Sequence, residues 1–74
     1  MTGDEVKIFR KSLGLSQRQF AKALGGLETT TVHRWEAGQS PVSPVAATLI
    51  GLIDAMHWSV AQPMKDWLKA RGKP

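Results

Sequence analysis

Residues 16–38 read SQRQFAKALGGLETTTVHRWEAG and decide the fold of this 74-residue chain. Ser16 and Gln19 fit a capping box, in which two side chains satisfy free backbone N–H groups where a helix starts. The pair Gly25-Gly26 then breaks that helix into a turn. A second helix is predicted over about residues 29–37, with a glycine just behind it. The stretch therefore predicts two short helices joined by a tight turn.

The second of these helices has one apolar side and one polar side. Val32 and Trp35 share the apolar side, and Trp35 is expected in the core. At about 100° per residue, the opposite side carries Thr29, Thr30, His33 and Arg34. A helix that enters the major groove of DNA needs an apolar face as its anchor and hydrogen-bonding side chains on the other. The alternative is that the threonines only begin the helix and that His33 is an ordinary solvated side chain.

The helix before the capping box is predicted from Asp4 to about Leu13. Its apolar stripe contains Val6, Phe9 and Leu13, and Lys7 and Lys11 lie on the opposite side. Arg10 falls within the apolar stripe. Because a buried charge is unfavourable unless it is paired, Arg10 needs an acidic partner.

Two more helices are predicted behind this stretch. Ser43-Pro44 is an N-cap followed by a first-turn proline, and the fourth helix is expected to carry Val45, Leu49, Leu52, Ile53 and Met56 on one broad apolar face, with Ile50 at its edge. A last helix is expected over roughly residues 61–70, where Met64, Trp67 and Leu68 are its packing residues, and residues 71–74 are expected to fray. The prediction is one all-α domain of five helices over residues 1–74, with its core motif at about 16–38 and helices four and five at about 44–70.

Composition narrows the classes of function. Ten Lys and Arg against 6 Asp and Glu give a net charge of +4, which favours polyanions as partners or only aids solubility. The chain has no cysteine, so disulfides and cysteine-based zinc sites are excluded. No nucleophile–base arrangement is visible, so we expect no enzyme activity. His33 and His57 lack the spacing of metal ligands, so we expect no bound metal. The sequence indicates no cofactor or small-molecule ligand either. The polar start and the short apolar runs predict a soluble, cytoplasmic protein with no membrane span.

Residues 9–44 resemble the Cro/XRE family of helix-turn-helix regulators, which includes the lambda-type phage repressors. The resemblance rests on Arg10, residues 13–17, Phe20-Ala21, Leu24-Gly25, Val32 and residues 34–38, in order and near the family spacing. It implies a lambda repressor-like fold and a transcriptional regulator that binds double-stranded DNA.

The resemblance also implies roles for single residues. Arg10 and Glu36 match a structural ion pair, which supplies the partner that Arg10 needs. Gln17 matches a phosphate-contacting position, and Arg18 beside it is expected near a phosphate or as a solvated charge. Thr29, Thr30 and Arg34 match positions that reach base edges, and we expect the exposed His33 to join them.

The sequence departs from the family pattern at the turn. Gly25-Gly26-Leu27 is one residue longer than the commonest spacing, which leaves the register of residues 28–30 open by one position. Glu28 then stands at the start of the recognition helix. Its carboxylate favours the helix dipole but repels phosphate, or it accepts a hydrogen bond from cytosine.

The apolar residues of the C-terminal half indicate that the chain binds a protein partner. Helices four and five have more apolar surface than so small a body can cover, which predicts a homodimer, and Trp58 and Trp67 are expected in the core or at the dimer seam. We therefore expect a repressor that binds an inverted-repeat operator as a dimer. The alternative is an antitoxin, which also occurs in this family: it would bind a toxin protein through the surface around Trp58, Met64 and Trp67 and regulate its own operon.

Overall fold

The computed structural model describes residues 1–73, so that Pro74 and its predicted fraying lie outside the described residues. Five α-helices follow one another in this range: α1 Gly3–Ser12, α2 Gln17–Ala23, α3 Thr29–Glu36, α4 Pro44–Ala55 and α5 Trp58–Gly72. Residues 1–73 contain no β-strand. The predicted all-α, lambda repressor-like fold is confirmed.

Capping boxes start both α1 and α2. At α2, the Ser16 hydroxyl accepts from the backbone N–H of Gln19 at 3.1 Å, and the Gln19 side chain accepts from the Ser16 N–H at 2.9 Å, as predicted. Thr2 and Glu5 make the same two bonds at α1, at 3.2 and 3.0 Å. Because each box satisfies backbone N–H groups that the first turn leaves free, both helix starts are fixed locally.

Two consecutive glycines turn the chain between α2 and α3. Gly25 and Gly26 have φ of +103° and +86°, a region that residues with a side chain rarely adopt. Beyond the turn, Glu28 takes an extended N-cap conformation and α3 runs from Thr29 to Glu36, with Ala37 as C-cap. The predicted helix over 29–37 is therefore confirmed to within one residue.

One hydrophobic core joins the helices. Its largest fully buried side chains are Phe20, Ile50, Ile53, Val6 and Val32. The rings of Phe9 on α1 and Phe20 on α2 meet edge to face with centroids 6.2 Å apart, an arrangement that aromatic pairs favour. Trp35 lies in the core, as predicted, so that α3 is anchored through its apolar side.

The face that α4 buries differs from the prediction. The buried side chains are Ala46, Ile50 and Ile53, whereas Val45 and Leu52 are 81% and 51% exposed. The prediction that Ile50 lies at the edge of the apolar face was wrong, because Ile50 is fully buried, whereas Val45 and Leu52 belong to the part of that face that the core leaves uncovered. The large apolar side chains of α4 form one face that is broader than the core covers, so their spacing does not indicate which part of that face packs inward.

The last helix is longer than predicted at both ends. It begins at Trp58, because the His57 side chain caps it by accepting from the Ser59 N–H at 3.3 Å, and it continues through Pro63 to Gly72. Leu68 is buried, but Trp58 and Trp67 are 74% and 61% exposed, so neither tryptophan lies in the core, and their expected place at a dimer seam stays a prediction. The predicted fraying of residues 71–73 was also wrong for Gly72, which is buried against α2.

No helix in the described part of the chain is long and apolar enough to cross a membrane. Among residues 1–73, no group of three or more His, Cys, Asp or Glu side chains is placed to hold a metal ion.

Candidate nucleic-acid interface

The polar side of α3 is open to solvent along its whole length. All four side chains of the predicted set are exposed, namely Thr29, Thr30, His33 and Arg34. Thr29 and His33 are four residues apart, as are Thr30 and Arg34, so each pair lies one above the other on the helix. Because Val32 and Trp35 hold the other side in the core, α3 presents one fixed face of hydrogen-bonding groups.

The end of α3 is held by the start of α1. A Cβ atom added at Gly3 would lie 2.9 Å from the carbonyl oxygen of Glu36 and closer still to that of Trp35. Real Cβ atoms do not approach backbone oxygen so closely, so only glycine lets the two helices meet here. This backbone-to-backbone contact holds the end of α3 against the start of α1.

An ion pair fixes α3 to α1 from within. Arg10 donates from Nε to Oε2 of Glu36 at 2.8 Å and from Nη2 to Oε1 at 3.0 Å. The two side chains are only 11% and 5% exposed. The third guanidinium nitrogen, Nη1, donates to the carbonyl oxygen of Leu15 at 2.9 Å. The structure thus joins the two residues that the sequence analysis paired, and it ties the loop before α2 to the same arginine.

The surroundings of Glu36 favour its charged form. Burial raises the pKa of Glu36, but the hydrogen bonds from Arg10 and Gln17, together with the charges of Arg10 and Lys7, outweigh burial and leave this pKa below its ordinary value. On the other side, the hydrogen bond to Glu36 raises the pKa of Arg10. Both side chains are therefore ionised at neutral pH.

Gln17, the predicted phosphate ligand, lies beside α3. Its side chain donates from Nε2 to Oε1 of Glu36 at 3.2 Å, and it lines one shallow polar pocket together with His33 of α3. Gln17 is also the first residue of α2, where helix N–H groups have no intrahelical partner. Its backbone N–H is therefore available to an acceptor from outside the chain.

Arg18 is placed apart from this group. It is exposed and lines a different depression, together with Ser16, Gln19, Lys22 and Gly72. No residue of α3 lines that depression. The structure therefore brings Gln17 and His33 together but does not bring Arg18 to them.

The structure also shows which residues after the long turn project outward from the start of α3. Glu28 stands at the N-cap, is exposed, and makes no side-chain hydrogen bond to the helix it precedes. Thr31 is half-buried, whereas Thr29 and Thr30 are exposed. Thr29 and Thr30 are thus the threonines that project outward, and the Glu28 carboxylate lies at the entrance of the same face.

Lys7 was not among the predicted site residues, yet it lines the pocket that holds Gln17 and His33. The sequence did contain a signal that Lys7 lies near this pocket. Lys7 stands three residues before Arg10, and residues three apart on a helix are neighbours. Sequence spacing alone did not show that this outer side of α1 faces the gap between α2 and α3.

Comparison with known proteins agrees with this geometry. A model of a family described as helix-turn-helix matches residues 6–51, more than half of the 74-residue chain. Comparisons with curated proteins and with solved structures found no match. The matched range covers most of α1, all of α2 and α3, and the larger part of α4. The chain belongs to the helix-turn-helix family of the Cro/C1 type, a family of DNA-binding regulators.

Proposed function

We propose that this chain is a transcriptional repressor that binds an inverted-repeat operator in double-stranded DNA as a homodimer. The observation that carries the proposal is the face of α3, whose four outward side chains are all exposed while Val32 and Trp35 anchor the opposite side. Arg34 is suited to guanine, to which arginine donates two hydrogen bonds, and Thr29, Thr30 and His33 have donors and acceptors for other base edges.

The groups around α3 are suited to the DNA backbone. The N–H of Gln17 at the start of α2 and the ammonium of Lys7, both at the pocket beside His33, are proposed to hold one phosphate. Arg18, in its separate depression, is proposed to reach a phosphate further along the strand. The net charge of +4 adds a general attraction to DNA.

Exposed apolar side chains on α4 and α5 support a homodimer. Large apolar residues that stay exposed here include Val45, Leu52, Trp58, Val60 and Trp67. Two copies with a net charge of +4 repel each other, but α4 contains only one charged residue, Asp54, and no cation. The copies are therefore proposed to meet at α4, where apolar area is covered and no cations face each other.

Repression follows from occupancy. A dimer bound across a promoter excludes polymerase without any further contact, so no additional partner is needed.

The antitoxin alternative uses the same regions: the groove between α4 and α5, lined by Leu49, Ile53, Pro63, Met64, Trp67 and Leu68, would receive a toxin protein. A toxin gene immediately beside the gene for this chain would favour that alternative.

Binding measurements with two duplexes test the proposal. One duplex is recovered by selection from random DNA, and the other has a scrambled sequence of the same composition. We expect the chain to prefer the selected duplex by on the order of 10³-fold or more at physiological salt, with affinity that falls steeply as salt rises. A protected region of two half-sites about 10 base pairs apart is expected in a footprint. Equal affinity for both duplexes at every salt concentration would contradict the proposal.

A further inference from the structure

Arg71, near the end of α5, reaches back to the end of α2. Its Nε donates to the carbonyl oxygen of Ala23 at 3.0 Å, across 48 positions of sequence. Its guanidinium carbon also lies 4.7 Å from the centroid of the Trp67 ring, in a cation–π contact. These two contacts on different helices hold the Arg71 side chain in one place.

The Ala23 carbonyl is one that the backbone leaves free. In the turn that follows, the N–H of Gly25 bonds to the Lys22 carbonyl, and those of Gly26 and Leu27 bond to the Ala21 carbonyl. Among residues 1–73, no backbone N–H bonds to the Ala23 carbonyl. Free carbonyls at a helix end carry partial negative charge, which a cation stabilises. Arg71 thus caps α2 at its C-terminal end, although it comes from another helix.

The backbone of α5 docks at α2 as well. A Cβ atom added at Gly72 would lie 2.7 Å from the carbonyl oxygen of Gln19 and 2.9 Å from Leu15 Cδ1. The last turn of α5 therefore touches α2 directly, which places Arg71 beside the Ala23 carbonyl.

From this arrangement we propose that Arg71 is a positioning residue for DNA reading. The chain leaves α2 through Gly25 and Gly26, both of which have positive φ and no side chain to restrict the turn. The cap on Ala23 holds the point from which this turn departs, and so it sets how α3 is presented to the bases. Arg71 itself needs no contact with DNA. The inference rests on the proposed function, since it concerns how the same recognition helix is aimed.

A pair of charge-matched variants tests the role. Arg71→Met keeps a long side chain but removes the donor and the charge. Lys69→Met removes the same charge from an exposed position in the last turn of the same helix. We expect Arg71→Met to bind the selected duplex on the order of tenfold more weakly than Lys69→Met does, the size expected when one base contact is weakened. Affinity for the scrambled duplex should be equal in the two variants.

Amide hydrogen exchange gives a readout that does not depend on DNA. We expect the amides of Gly26 and Leu27 to exchange faster in Arg71→Met than in Lys69→Met, because the turn loses its fixed origin. If Arg71→Met does not fold at the assay temperature, Arg71→Lys takes its place. That variant keeps the charge and an ammonium donor but loses the planar guanidinium that contacts Ala23 and Trp67 together, so it should show a smaller selective loss of the same kind against the wild type.

The outcomes separate this inference from the proposed function. If the wild type prefers the selected duplex but Arg71→Met and Lys69→Met keep the same ratio of selected to scrambled affinity, Arg71 contributes only charge and the positioning role is overturned. If the wild type itself shows no preference, the proposed function fails and the positioning role fails with it. A reduced ratio in Arg71→Met alone, with faster exchange in the turn, supports the role.

Discussion

Arg10 and Glu36, which lie 26 positions apart, form a two-bonded ion pair with distances of 2.8 and 3.0 Å. Oε1 of Glu36 also accepts from Gln17 at 3.2 Å, so that one carboxylate ties together α1, the start of α2 and the end of α3. Glu36 thus fixes the end of α3 to both of the helices that precede it.

Removing the carboxylate should destabilise the fold. Glu36→Ala leaves the guanidinium of Arg10 largely buried without its partner, and breaking a buried pair costs about 3–5 kcal/mol. Urea unfolding measures the loss. The double variant Arg10→Met with Glu36→Leu should recover much of it, because no unpaired charge remains. A Glu36→Ala chain as stable as the wild type would show that the pair contributes nothing.

Acid should weaken the same pair. The pKa of Glu36 is lowered in the folded chain from an ordinary value of 4.5. A carboxyl group whose pKa is lower in the folded than in the unfolded chain stabilises the fold at pH values above its ordinary pKa of 4.5. This stabilisation is lost as the pH falls from 4.5 through the lower pKa of the folded chain. The free energy of unfolding, measured from neutral pH down to about pH 3, should therefore decrease in that window. Glu36→Gln has no charge to lose at this position, so its decrease should be shallower; identical pH profiles would refute the assignment.

The contact between Gly3 and the end of α3 predicts opposite effects for two glycine-to-alanine changes. Gly3→Ala should destabilise by about 1–3 kcal/mol, because the new methyl group overlaps backbone oxygen. Gly51→Ala is the control: its position inside α4 has nothing within 4 Å of the added Cβ, so it should stabilise by about 0.5–1 kcal/mol. Thermal unfolding at low protein concentration distinguishes them. Equal effects of the two changes would mean that α1 does not abut α3.

Patterns that are local in sequence predicted the helices and turn of residues 16–38 well. The capping box at Ser16, the paired glycines and the alternation of Val32 and Trp35 with polar residues each specify a helix boundary or a face. The partner of Arg10 came from the resemblance to the family, because a charge within an apolar stripe shows that a partner is needed but not which acid supplies it.

The C-terminal half could not be predicted in the same detail. The apolar face of α4 is broader than the core covers, so spacing did not distinguish buried Ile50 from exposed Val45. The roles of Arg71 and Gly72 depend on contacts with α2, about 50 positions away in the sequence, and no local pattern marks such contacts. Short-range rules describe helix starts and turns, whereas the docking of one helix end on another is decided in three dimensions.

The proposed dimer predicts that a charge on α4 will separate the subunits. Leu52→Lys should shift the chain from dimer to monomer in sedimentation measurements and weaken operator binding, because two lysines would meet across the interface. Ile8→Lys is the control, since Ile8 is also a large exposed apolar residue but belongs to α1. A Leu52→Lys chain that remains dimeric would place the interface elsewhere.

The central claim is that α3 reads base edges, and parallel selection from random duplex DNA by three chains tests it most directly. The wild type should enrich an inverted repeat with half-sites about 10 base pairs apart. Arg34→Ala should lose about 1–3 kcal/mol on that site and relax preference at one base pair of each half-site, while Lys11→Ala, a matched loss of one charge on α1, should enrich the wild-type repeat. The account is contradicted if the wild type enriches no motif, or if Arg34→Ala enriches the same motif as the wild type.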